Sequence, residues 1–200
     1  MITDLLWVLL AFICGSLPLS LWLGRLALGV DIRQVGDGNP GAANVWRAGG
    51  KWWGLLAILL DGFKGLIPVA LAIYVGGVAG WPMVAVALAP VLGHAYSPFL
   101  GLRGGKALST TFGIWCGLTL WVVPTVLGLA LAFWLLVLRA EAWAVLAGMV
   151  TLLVFLVAIH AAPELFAVWA GSLAILLWKH RAEYRRPPHL SKGILGRWIK

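Results

Sequence analysis

The sequence predicts an all-α integral membrane protein with seven transmembrane helices. Its N-terminus lies outside, and short re-entrant or loop segments lie on the cytoplasmic side. Three observations predict this class. Hydrophobic residues make up 62% of the chain and charged residues 11%, well under the roughly 25% charge of a soluble domain. The apolar residues fall into runs of about spanning length. The lysines and arginines gather in alternate connections, as the positive-inside rule requires.

The runs follow in order. The first covers residues 5–28, and no basic n-region precedes it, so it reads as an uncleaved span. A polar stretch, DIRQVGDGNPGAANVWRAGGK, occupies residues 31–51. The second run covers 52–75, and Gly76, Gly77 and Gly80 mark the turn into a third at 81–93. A second polar, glycine-rich stretch, HAYSPFLGLRGGK, occupies 94–106. Residues 107–138 hold two short spans, with Pro124 near their joint. The sixth span is 142–159 and the seventh 165–178. The whole chain, 1–200, reads as one membrane-embedded domain whose residues 179–200 form a basic cytoplasmic tail.

With the N-terminus outside, Arg33, Arg47, Lys51, Arg103, Lys106, Arg139 and the tail cations all fall inside. The outside turns near 76–80, 121–124 and 160–164 contain no lysine or arginine. Merging the fourth and fifth spans would put the basic tail outside, so seven spans fit better than six. Trp52, Trp53, Trp81 and Trp178 stand at span ends, where indole rings anchor at the interface. Gly113 and Gly117, four apart, suit a close helix–helix contact. Cys14 and Cys116 lie in apolar runs and read as small core residues.

Chemistry is concentrated in the two inside loops. In the first, Gly36, Gly38 and Gly41 alternate with Asp37, Asn39 and Asn44, and Arg47 and Lys51 follow. Such a loop either forms an anion-binding nest of backbone amides or is a tight turn with Asn44 as a helix cap. In the second, His94, Ser97, Arg103, Gly104, Gly105 and Lys106 precede an apolar helix, a pattern suited to oxyanion binding at a helix N-terminus. It is not a nucleotide-binding P-loop, because Ala107 follows Lys106 where serine or threonine is required. Asp61 and Lys64, three apart deep in the second span, form a structural ion pair or brace the loops. His180 and Arg181 end the last span. Anion-binding groups on one membrane face point to phosphorylated substrates. The four histidines are too scattered for a metal site, and no HExxH or paired-cysteine motif occurs, so no metal or cofactor is expected. The net charge of +8 is explained by topology rather than by nucleic acid.

Several segments together resemble the bacterial acyl-phosphate-dependent glycerol-3-phosphate acyltransferases, the PlsY family. They are GSLP at 15–18, DIR at 31–33, GDGNPGAANVWR at 36–47, LDGFKG at 60–65, GHAYSPFLGLRGGKALST at 93–110 and KHR at 179–181. The resemblance covers nearly the whole chain. It implies transfer of a fatty acyl group from acyl phosphate to the 1-hydroxyl of glycerol 3-phosphate, giving lysophosphatidic acid and phosphate. It further implies a monomer in the bacterial inner membrane, with a cytoplasmic active site and no covalent acyl-enzyme. Lys106, Arg47, His180 and the Gly104–Gly105 amides would hold phosphate groups, and Asn39, Asn44 and His94 would orient the acceptor or brace the loops. Asp37, Gly41 and Ser97 would complete the substrate site, with Asp61 and Lys64 structural. His94 followed by Phe99 does not make the HxxxxD pair of thioester-dependent acyltransferases.

The chain departs from the family pattern at three places. Asp37 replaces a serine, Ala107 replaces a glycine, and 182–184 read Ala-Glu-Tyr. An unpaired carboxylate at 37 would oppose a phosphate by roughly 4 kcal/mol at 4 Å and an effective dielectric near 20. The competing readings are a related transferase with another acceptor, a small membrane transporter, and a catalytically inactive scaffold.

Overall fold

The computed structural model describes residues 2–138, 140–185 and 187–188. Arg139, Arg186 and most of the expected basic tail lie outside the described residues. The described chain is all-α: α1 (Ile2–Ser16), α2 (Leu19–Leu28), α3 (Ala42–Gly49), α4 (Lys51–Tyr74), α5 (Trp81–Ala95), α6 (Leu108–Thr119), α7 (Val122–Val137), α8 (Glu141–Ala158) and α9 (Pro163–His180). These helices occupy the apolar runs read from the sequence, with the short α3 added inside the first polar loop.

Four segments are long and apolar enough to cross a bilayer: Ile2–Leu28, Lys51–Tyr74, Trp81–Leu100 and Glu141–Ala158. The chain is therefore a multi-pass membrane protein, and α7 is a shorter apolar helix. Large side chains such as Leu9, Ile13, Leu59, Phe63, Val150 and Val154 lie exposed, while Ala11, Ala57, Ala72, Ala87 and Ala89 are buried. Lipid is as apolar as leucine, so burying large residues brings little benefit, and small residues let helices approach closely.

The chain divides into two compact units, Met1–Leu118 and Thr119–Lys200. In the first, α1 packs along α5 and α4, and α3 folds back onto α2 and α4. One apolar cluster joins Ala11, Ala72, Val78, Val86 and Ala89. Another joins Leu21, Ile32, Ala42, Val45 and Ala57 beneath the first loop. The helices close on glycine. A Cβ on Gly15 would overlap the Pro90 carbonyl, and one on Gly113 would overlap the Gly62 carbonyl. A Cβ on Gly117 would lie 3.0 Å from Leu66 and Val69, so the Gly113–Gly117 pair does form a contact face, and its partner is α4.

In the second unit α8 packs against α7 and α9. Trp134 donates to the Thr151 hydroxyl (3.1 Å), and Trp169 donates to the Met149 carbonyl (2.8 Å). Tyr184 donates to the Ala142 carbonyl (3.2 Å) and stands edge-on to Trp143. This gives the divergent Ala-Glu-Tyr segment a packing role.

The first apolar run is not one continuous helix. It breaks between α1 and α2 because Pro18 has no N–H to donate. The break leaves carbonyls without helical partners, and in a membrane these must be satisfied by protein. Ser97 donates to the Ser16 carbonyl (2.6 Å), and Lys64 donates to the Leu17 carbonyl (2.9 Å).

The packing predicts a contrast between two neighbouring glycines of the α4–α6 contact. Gly113→Ala forces the helices apart and should destabilise by about 1–3 kcal/mol. Gly62→Ala meets only the Ser109 carbonyl at 3.7 Å, an ordinary contact, and should be neutral or stabilising. Thermal unfolding of both variants in detergent checks this; equal transitions would refute the close contact.

Candidate active site

The first polar loop is built from local rules. Gly29, in the left-handed conformation, ends α2. Asp31 then caps a short 3₁₀ turn, Ile32–Gln34, by accepting from the Arg33 amide (3.1 Å). Arg33 and Arg25 pair with the same carboxylate at 2.6 and 2.8 Å and hold it well below the usual carboxylate range. Ile32 is fully buried and pins the loop into the apolar cluster under α3. Gly36 and Gly38 both have positive φ, 59° and 74°, and they turn the chain so that Asp37 faces α3 and the second loop.

Asp37 is the hub of the polar surface. Its Oδ2 lies 2.7 Å from Lys106 Nζ. Its Oδ1 accepts from Asn44 Nδ2 (3.0 Å) and the Asn39 amide (3.2 Å) and lies 3.7 Å from Arg47 Nη1. Burial pushes this carboxyl up, but the Lys106 hydrogen bond and charge, with the Asn39 and Asn44 donors, outweigh it and hold the carboxyl below the usual carboxylate range. The carboxylate that sequence reasoning expected to repel phosphate is thus already neutralised by a cation.

Asn44 is buried at the third position of α3, not at its cap. Gly41 occupies the cap position. The Asn44 side chain reaches back to the Asn39 carbonyl (2.9 Å) and to Asp37, while its oxygen accepts from Arg47. It braces the loop and aims the guanidinium. Gly41 leaves room for the Asn39 amide, which a Cβ would meet at 2.7 Å.

Behind this surface lies a buried network. Asp61 accepts from Ser20 (2.6 Å) and pairs with Lys64 (3.0 Å). Thr110 donates to the Asp61 carbonyl (2.9 Å), so its oxygen accepts from His94 Nδ1 (3.2 Å). That arrangement makes Nε2 the acceptor nitrogen of the imidazole. Gly105 packs directly on Nε2, and Gly104 packs on the His94 carbonyl, with no space for a Cβ at either.

The structure changes the expectations for Ser97 and Gly105. Ser97 is 1% exposed and gives its hydroxyl to Ser16, so it is a structural tie rather than a substrate contact. The Gly105 amide donates to the His94 carbonyl (3.0 Å). Gly104 and Gly105 are therefore required for close approach, and Gly105 is not a free phosphate donor. The Gly-Gly-Lys run does stand just before a helix: Ala107, with φ 64°, links it to α6, which begins at Leu108. Alanine there adopts the left-handed conformation that suits the family's usual glycine.

Asn39, Asn44, Asp37, Arg47 and Lys106 come together at the surface. Asp61, Lys64 and His94 come together beneath it. His180 belongs to the second unit, where it is fully buried. Its Nδ1 engages the Leu176 carbonyl at 2.8 Å, and its Nε2 has no partner among the described residues. Arg181 lies over Trp178 and donates to its carbonyl. Ser20 and Thr110 were not singled out from the sequence. Their signal was a hydroxyl within a span, near a buried charge that needs partners. Beside the loops an open cavity of about 650 Å³ is lined by Asp31, Arg33, Gln34, Gly38, Pro40, Leu100, Gly101 and Arg103.

Residues 5–188 match the family model described as glycerol-3-phosphate acyltransferase. A glycerol-3-phosphate acyltransferase of Thermotoga maritima is 36% identical, over 90% of this chain and 95% of its own length. One from Rubrobacter xylanophilus is 41% identical, over 91% and 90% respectively. Among solved structures, PlsY, an integral membrane glycerol 3-phosphate acyltransferase, matches in its glycerol 3-phosphate form. The TM-score is 0.83 and the identity 30%, covering 98% of this chain and 99% of that one. Its lysophosphatidic acid form matches with a TM-score of 0.81.

Two predictions follow from the network and the loops. Lys64→Met leaves a buried unpaired carboxylate and should cost about 3–5 kcal/mol, whereas Asp61→Asn with Lys64→Met should cost less than Lys64→Met alone. Unfolding of the two variants decides it, and a double variant worse than the single would contradict the pairing. The lowered carboxyls at Asp31 and Asp37 give stability that is fully present above their unfolded pKa and lost as pH falls through the folded values. The unfolding temperature should therefore hold above about pH 5 and fall below about pH 4; a scan showing no fall would contradict the loop pairs.

Proposed function

This chain belongs to the glycerol-3-phosphate acyltransferase family, and we propose that it transfers a fatty acyl group from acyl phosphate to the 1-hydroxyl of sn-glycerol 3-phosphate. The products are lysophosphatidic acid and inorganic phosphate. The observation that carries this reading is the seat made by Lys106 and Arg47, two cations from two separate loops brought to one carboxylate at 2.7 and 3.7 Å. A site that already holds one oxyanion between these cations has the geometry and charge for a phosphate.

The chemistry asks little covalent work of the protein. The donor is a mixed anhydride, so its carbonyl is already activated. The acceptor hydroxyl oxygen bonds to the acyl carbon, the acyl–phosphate bond breaks, and phosphate leaves. The hydroxyl proton passes to a phosphate oxygen. No serine or cysteine nucleophile is needed. Lys106 and Arg47 hold phosphate and offset repulsion between two anionic substrates. Asn39 and Asn44 fix the loop, and His94, held by Thr110 and covered by Gly104 and Gly105, positions the second loop. Holding the hydroxyl against the face of the carbonyl supplies much of the rate.

The same reading places seven crossings in the bacterial cytoplasmic membrane, formed by α1–α2, α4, α5, α6, α7, α8 and α9. The N-terminus is outside and the site faces the cytoplasm. Two facts support it. The Asp37–Lys106 pair joins the loop before α4 to the loop after α5, so both lie on one face. Those loops carry Arg33, Arg47, Lys51 and Arg103, as cytoplasmic loops do. The family match runs across both units, which favours one catalytic domain.

Purified protein in detergent, given palmitoyl phosphate, should release phosphate and form lysophosphatidic acid only when glycerol 3-phosphate is present. Lys106→Ala should lower kcat/KM by at least about 100-fold. Phosphate release indifferent to glycerol 3-phosphate, or unchanged kinetics in the variant, would refute the assignment.

A further inference from the structure

The carboxylate between Lys106 and Arg47 raises a question that the reaction itself does not answer. A site for phosphorylated ligands contains its own anion. We propose that Asp37 is a resident counter-anion that occupies the phosphate seat when it is empty and must be displaced by an incoming phosphate, so that this residue sets affinity for phosphorylated ligands. The inference rests on the acyltransferase reading for the identity of the ligand, and on the geometry for the competition.

Four features support it. Asp37 is held as a bound anion is held, by two cations, a side-chain amide and a backbone N–H. Its side chain is 39% exposed, against 14% for Lys106, so the carboxylate faces the approach while its main cation sits deeper. It stands between Gly36 and Gly38, both at positive φ, and glycine on either side lets the backbone swing without Cβ strain. Finally, its partners can stay in place without it. Asn44 remains tied to the Asn39 carbonyl and to Arg47, and α3 keeps its own hydrogen bonds.

Charge counting gives the direction. Lys106 and Arg47 carry +2, and Asp37 reduces this to +1. A phosphate dianion entering with Asp37 in place leaves the seat at −1, whereas displacing Asp37 leaves it neutral. Because Asp37 titrates below the ordinary carboxylate range, it stays ionised near neutrality. The ligand's charge, rather than mild acid, therefore opens the seat. A serine at this position would remove that competitor and add a hydroxyl donor.

The test is inorganic phosphate binding by full-length protein in detergent, measured by titration calorimetry for the wild type, Asp37→Asn and Asp37→Ser. Asparagine keeps an acceptor for Asn44 and the Asn39 amide and removes only the charge. Both variants should bind phosphate at least about 10-fold more tightly than the wild type, since the competing charge is gone. The KM for glycerol 3-phosphate should fall with kcat changed less than KM. Equal or weaker phosphate binding in both variants would overturn the proposal and make Asp37 a brace. Failure of both variants to fold would overturn it too, because a carboxylate the fold requires cannot be displaced by substrate. Tighter phosphate binding without glycerol-3-phosphate-dependent turnover would leave the counter-anion standing and refute the acyltransferase reading.

Discussion

The buried Asp61–Lys64 pair is the interaction on which the rest depends. A charge at that depth persists only when it is paired and its remaining hydrogen-bonding capacity is used. Here the use is distributed over the first unit. Ser20 brings in α2, the Lys64 bond to the Leu17 carbonyl closes the break between α1 and α2, and Thr110 and His94 bring in α6 and α5. Asp61 thus ties these helices together, through its carboxylate to Ser20 and Lys64 and through its backbone carbonyl to Thr110. The reliance runs both ways. Without the break at Pro18 the Leu17 carbonyl would be occupied within a helix, and Lys64 would lose a partner.

Close packing converts that register into a site. Gly104 and Gly105 lie directly on His94, and Gly113 lies on Gly62, so the chain carrying Lys106 is set against α5 and α4 by backbone contact rather than by flexible side chains. Lysine has a long and mobile stem, and a phosphate seat built on it is only as precise as its anchor. The buried network supplies that anchor from beneath, and Asp37 supplies a partner from across the loop. The chemistry requires positioning of two anionic substrates more than any reactive side chain.

Much of this was legible in the sequence because the signals were physical. Apolar runs, basic loops and the three-residue spacing of Asp61 and Lys64 each follow from the energetics of a membrane interior. The seat residues Asn39, Arg47 and Lys106 were legible through charge and glycine in two loops, sharpened by family resemblance. Long-range partnership was not legible. Ser97 reads as a loop hydroxyl facing substrate, and only the broken helix shows why Ser16 takes it. Asn44 reads as a cap because asparagine caps helices, but here Gly41 holds that place and the side chain reaches back to the loop. Gly105 reads as an open amide, yet the amide is engaged and the residue is there for what it lacks. In each case a local preference was overridden by a specific partner that the fold brings alongside.

The departures from the family pattern come under the same physics. Ala107 holds a left-handed backbone that glycine would hold without strain, so the geometry between Lys106 and α6 is retained even where the residue is not the easiest one. Tyr184 secures the divergent end of the second unit on Ala142 and Trp143. Asp37 is the one departure that changes charge, and it falls where Lys106 and Arg47 can absorb it. An anion site is costly when vacant, since partly desolvated cations lack a counter-charge. A carboxylate on a glycine-flanked turn relieves that cost in the empty state at the expense of ligand affinity. The same residue that looks like a defect in a phosphate site is therefore consistent with a stable one.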